Sequence, residues 1–145
     1  MHPNAAATYR QTLERTISPS DLLIRLYEGA IRCLDLMKEA MKTGDVPKRA
    51  DAVNRLTSIL SELASAVDGQ DPKDLSDSLV SLYLFLIQEV TLANVADEPT
   101  RLVPLREILS DLLGAWKAAA QTSRGAATSP VESADAPRRT LSVRG

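Results

Sequence analysis

The chain has 145 residues, 44% of them hydrophobic and 25% charged, with a formal net charge of −2 and only 3% aromatics. That is the balance of one soluble globular domain rather than a disordered chain. It argues against nucleic acid as the main partner, because phosphate binding needs concentrated basic charge and base stacking needs aromatics.

The N-terminus reads Met1-His2-Pro3-Asn4, without the basic-then-apolar pattern of a signal peptide. The longest apolar stretch, around Leu79–Ile87, is interrupted by Ser81 and too short to cross a bilayer core of about 30 Å, so no membrane insertion is expected. Cys33 is the sole cysteine, which excludes an internal disulfide and a thiolate metal cluster and fits a reducing cytoplasm.

Three zones follow: a weakly patterned segment 1–17, a zone 18–122 dense in Leu, Ile, Val and Ala, and a small, polar tail 123–145 punctuated by Pro and Gly. The tail carries too little apolar area to order itself and is expected to be disordered. In the middle zone, Ser18-Pro19-Ser20-Asp21 opens a first helix. Ser18 suits the cap, Pro19 the first helical position, and Asp21 the positive end of the helix dipole. Leu23, Leu26, Ala30, Cys33 or Leu34, Met37 and Met41 form its apolar stripe, and Gly44 closes it.

A second helix is predicted from Val46 or Pro47 to Val67, with the stripe Val53, Leu56, Leu60, Leu63 and Val67, before the turn Asp68-Gly69-Gln70-Asp71-Pro72. A third runs from near Pro72 to about Val95, with the stripe Leu75, Leu79, Leu82, Leu86, Val90 and Ala93. The fourth starts within Pro99–Pro104 and carries Leu102, Leu105, Leu109, Leu112, Trp116 and Ala119. No segment alternates as a strand does. Four helices of about 30 Å each bury their stripes only against one another, which predicts an all-α, antiparallel up-down four-helix bundle.

Catalytic chemistry has little to stand on. The one histidine, His2, sits at the chain end, so there is no Glu-x-x-His pair for a di-iron bundle and no helix-face His for phosphotransfer. The glycines form no phosphate loop. Asp97-Glu98 reads as charge favouring the start of the fourth helix. Neither an enzymatic activity nor a cofactor is expected.

The third helix is unusual in carrying a second apolar row, Val80, Leu84, Ile87, Thr91 and Val95, with Phe85 and Leu92 beside it. A bundle helix ordinarily shows one stripe and a polar back. The second helix has a smaller side row, Ala52, Ile59 and Ala66. Together with Asn94 these residues are the candidate partner-binding set, a surface for an apolar helix read at i, i+3, i+4 and i+7. Tyr9, Leu13 and Ile17, at steps of four, are candidates for an N-terminal cap over that surface.

The run from Tyr9 through Thr16-Ile17-Ser18-Pro19 to Leu26-Tyr27-Glu28-Gly29-Ala30 resembles the opening of the FliS flagellin chaperones. Ile59-Leu60-Ser61-Glu62-Leu63, Leu82-Tyr83 with Ala93-Asn94, and Leu112-Leu113-Gly114-Ala115-Trp116 resemble later elements of that family, in order, over about residues 9–120. The resemblance implies a cytoplasmic chaperone that binds the C-terminal segment of flagellin, masks it against premature polymerisation and keeps it competent for the flagellar type III export apparatus. The N-terminal segment would act as a movable cap. Leu84, Ile87 and Glu89 stand where that family usually has polar or basic residues, and the tail extends beyond its usual end. The extra apolar row thus tunes client recognition or supports a homodimer. The alternative reading is a dimeric helical adaptor or regulator without a secretion role.

Overall fold

A computed structural model describes residues 19–128, with side chains through residue 125. Tyr9, Leu13, Ile17 and the Ser18 cap lie outside the described residues, as does the tail beyond 128. Helix α1 spans Pro19–Thr43, α2 Val46–Val67, α3 Lys73–Ala96 and α4 Val103–Thr128. Among the described residues there is no strand.

The connections follow from local chemistry. Gly44 adopts φ 73°, a left-handed conformation that suits a residue without Cβ, and Asp45 N–H then reaches back to Ala40 O at 3.0 Å. Asp45 at once caps α2, its Oδ1 accepting from Lys48 N–H at 3.1 Å, with Pro47 in the first turn where no donor is missed. The expectation for α2 had found the proline but not this cap. Gly69, at φ 76°, turns the chain between α2 and α3.

Both prolines near the fourth helix are accommodated: Pro99 opens a single 3-10 turn, Pro99–Leu102, and Pro104 falls in the first turn of α4. Asp97 is left-handed, at φ 57°, and closes α3 rather than opening α4. At its far end α4 runs six residues past the expected bundle boundary at 122.

Helices α1 and α2 pack along each other, α3 lies against α2, and α4 against α1. Leu34, Met37, Leu56, Leu60, Leu63, Leu86, Val90, Leu102 and Leu109 fill the space between them. Each large side chain so enclosed contributes about 1.5–3 kcal/mol against the entropy of ordering the chain.

At the centre, the hydroxyls of Tyr27 and Tyr83 hydrogen-bond to each other, with both residues fully buried. Their rings meet edge-on at 6.3 Å, and Trp116 tilts against Tyr27 at 6.4 Å. Burial pushes both phenols above the ordinary tyrosine range, because a phenolate there would lose its water.

Tyr83 corrects the reading of α3. The core face is Ser76, Leu79, Tyr83, Leu86, Val90 and Ala93, so Leu75 is displaced outward to half exposure and Leu82 sits at the margin. A tyrosine with a buried partner for its hydroxyl can occupy the centre, and a rule that counts only aliphatic positions misses it. In α4, likewise, Ala120 rather than Ala119 faces the core.

Candidate partner-binding surface

Helix α3 is covered along one side and bare along the other. By length and composition alone it could cross a membrane, which the count of its uninterrupted apolar run did not show. Its packing on α2 and the Tyr83–Tyr27 bond account for one face. The remainder exposes Leu84 at 55%, Phe85 at 46%, Leu92 at 41% and Val95 at 79%. Glu89 is the sole charged residue between Ser78 and Ala96. Thr91 donates its hydroxyl to Ile87 O at 3.0 Å, so it places little hydrogen-bonding demand on the surface.

The predicted row divides accordingly. Leu84, Thr91 and Val95 are exposed along α3, and Val80 and Ile87 are half-buried beneath them, Ile87 against the core. Phe85 and Leu92, noted beside the row but not counted in it, widen the apolar surface. Their seven-residue spacing was the signal.

Asn94 is engaged inside the fold. Its Oδ1 accepts from Arg49 Nε at 2.6 Å, its backbone carbonyl accepts from Arg49 Nη2, and Arg49 Nη1 reaches Asp97 Oδ1 at 2.7 Å. One guanidinium thereby fastens the start of α2 to the end of α3. Asn94, a candidate partner-binding residue, and Asp97, read as a charge for α4, both serve this clasp in the fold, and Asp97 closes α3.

On α2 the side row does not act as a unit. Ala52 is buried to 1% exposure and is a core residue, so it is withdrawn from the partner-binding set. Burial alone places it in the core, among Leu56, Leu60 and Leu63 of the same helix. Ala66 is exposed. Ile59 is half-buried in a shallow hollow with Asn54, Arg55 and Ser58, and it turns toward α1, where its Cδ1 lies 3.4 Å from where a Cβ on Gly29 would stand.

No three His, Cys, Asp or Glu side chains gather as metal ligands among the described residues. Cys33 is buried in the core, and burial raises its thiol pKa, which disfavours the nucleophilic thiolate.

The model of the FliS family, described as flagellar protein FliS, matches residues 2–123. The chain belongs to the FliS family. Among its relatives is a flagellar secretion chaperone FliS of Campylobacter jejuni, 31% identical over 109 residues, which cover 75% of this chain and 85% of that protein. A flagellar secretion chaperone FliS of Vibrio cholerae is 30% identical over 99 residues, 68% of this chain and 73% of the other. The Bacillus subtilis flagellar secretion chaperone FliS is 24% identical over 121 residues, 83% and 90% of the two chains. Membership of FliS makes this a protein of a secretion-chaperone family, which is not an enzyme class.

Proposed function

We propose that this chain is a cytoplasmic, non-catalytic chaperone that binds the C-terminal segment of flagellin, prevents its premature polymerisation and holds it competent for the flagellar type III export apparatus. The observation that carries the reading is the exposed apolar strip on α3, in a chain whose relatives are named flagellar secretion chaperones. A folded monomer gains nothing from leaving Leu84, Phe85, Leu92 and Val95 in water, whereas an amphipathic client helix laid along them removes that surface.

The client of such a surface is a segment that folds as it binds. Ordering it opposes association by about 2–5 kcal/mol, so the contact must be broad and apolar, and most of the client's turns must meet it. The test is to mix the purified chain with a peptide of the flagellin C-terminal segment and follow helical circular dichroism together with light scattering. A one-to-one complex with more helix than the sum of its parts is expected. No added helix and no complex at micromolar concentrations would refute the proposal. A dimer of this chain that persists with the peptide present would reassign the α3 face to self-association.

A further inference from the structure

A second apolar recess lies at the end of the bundle where α2 turns into α3. Val67, Asp71, Pro72, Leu75, Leu79 and Trp116 line it together with Ser76. Leu75 stands half exposed at its edge. Ser76 is 3% exposed and its Oγ has no hydrogen-bond partner. A buried hydroxyl without a partner carries a desolvation penalty that a bound donor or acceptor relieves. Trp116 Nε1 is also buried without a hydrogen-bond partner.

The rim of this recess is acidic. Asp68, Asp71, Asp74 and Asp77 follow one another through the turn and into α3, and the one basic residue among them, Lys73, is paired with Asp77 at 3.0 Å. The segment 137–145 of the same chain has the opposite character: Arg138, Arg139 and Arg144 with no acidic residue. Within it Leu141 and Val143 are two residues apart, so an extended backbone presents both on one side.

We propose that this C-terminal segment docks on the recess, with Leu141 and Val143 against Leu75, Leu79 and Trp116. Its arginines then face Asp68, Asp71 and Asp74, and its backbone supplies the partner that Ser76 Oγ lacks. The reach is ample. Thr128 lies twelve residues beyond Trp116 along α4, about 18 Å, and the twelve residues 129–140 extend to about 40 Å. The family match ends at residue 123, so it assigns this segment no role. Leu141 and Val143 are the large apolar residues of this segment, and the recess offers them an apolar surface.

Trp116 is the only tryptophan of the chain and reports on the recess directly. Two full-length variants test the docking, Leu141→Asp with Val143→Asp, and Arg138→Glu with Arg139→Glu and Arg144→Glu. Each is expected to shift Trp116 emission to longer wavelength and to raise its quenching by acrylamide, with the helical circular dichroism unchanged. A peptide of residues 129–145, added at about millimolar concentration to match a short tether, should reverse both changes. In about 1 M salt, where screening reaches within about 3 Å, the native chain should move toward the variants. Native emission and quenching in either variant would overturn the proposal, as would changes that track protein concentration, which would give the recess to a second copy of the chain.

Discussion

Tyr27 and Tyr83 donate and accept one hydrogen bond between their hydroxyls at the centre of the bundle, joining α1 to α3 across a mostly apolar core. Neither hydroxyl has access to water, so each depends on the other. Replacing Tyr83 by Phe strands the Tyr27 hydroxyl and should lower stability by about 1–3 kcal/mol. The Tyr27→Phe, Tyr83→Phe double variant removes both polar groups and should lose less than the sum of the single variants. Urea denaturation of all four proteins, read as a double-mutant cycle, checks this.

The same pair sets a response to alkali. Both phenols are held above the ordinary value of 10.0, chiefly by burial. The unfolded chain releases these protons near pH 10 and the folded chain retains them. Their contribution to stability is therefore complete below pH 10 and is lost as pH rises from there toward the folded values. The urea midpoint should fall more steeply above pH 10 in the native protein than in the double phenylalanine variant.

Arg49 makes three contacts with the end of α3, two of them to Asn94. Arg49→Ala should lower stability by about 1–3 kcal/mol and loosen the last turn of α3, seen as faster amide exchange near Asn94. Arg49→Lys should not restore it, because a single ammonium cannot reproduce the forked geometry.

Ala52 and Leu84 separate the core from the surface. Ala52→Leu overpacks the core and should destabilise by about 1–3 kcal/mol. Leu84→Glu lies on the surface and should change stability by no more than about 0.5 kcal/mol. Thermal unfolding of the two variants tests whether Ala52 belongs to the core and Leu84 to the surface.

Much of this was legible in the sequence, because helix period and end signals are local. The apolar steps in α1 to α4, Gly44, the turn at Gly69 and the paired prolines at 99 and 104 fixed the element order. Helix rotation was not local. Whether Leu75 or Ser76 faces inward depends on Tyr83 finding Tyr27 56 residues away, and no stripe encodes that pairing. Ala52 illustrates the same limit, since a small residue looks alike on a surface row and in the core. Asn94 belonged to a motif, but the sequence did not show that Arg49, 45 residues earlier, would occupy its side chain. Leu84 and Val95 were readable because apolar residues beyond the capacity of one stripe must lie outside it.

The central claim is that the bare face of α3 holds the client. Calorimetric titration of the flagellin C-terminal segment into the native chain and into Leu84→Glu measures it most directly. The account predicts a complex with the native chain at micromolar concentrations and at least about tenfold weaker binding to the variant, a difference of about 1.4 kcal/mol, with its helical content intact. Equal affinity for the two proteins, or no heat of binding to the native chain, would contradict it.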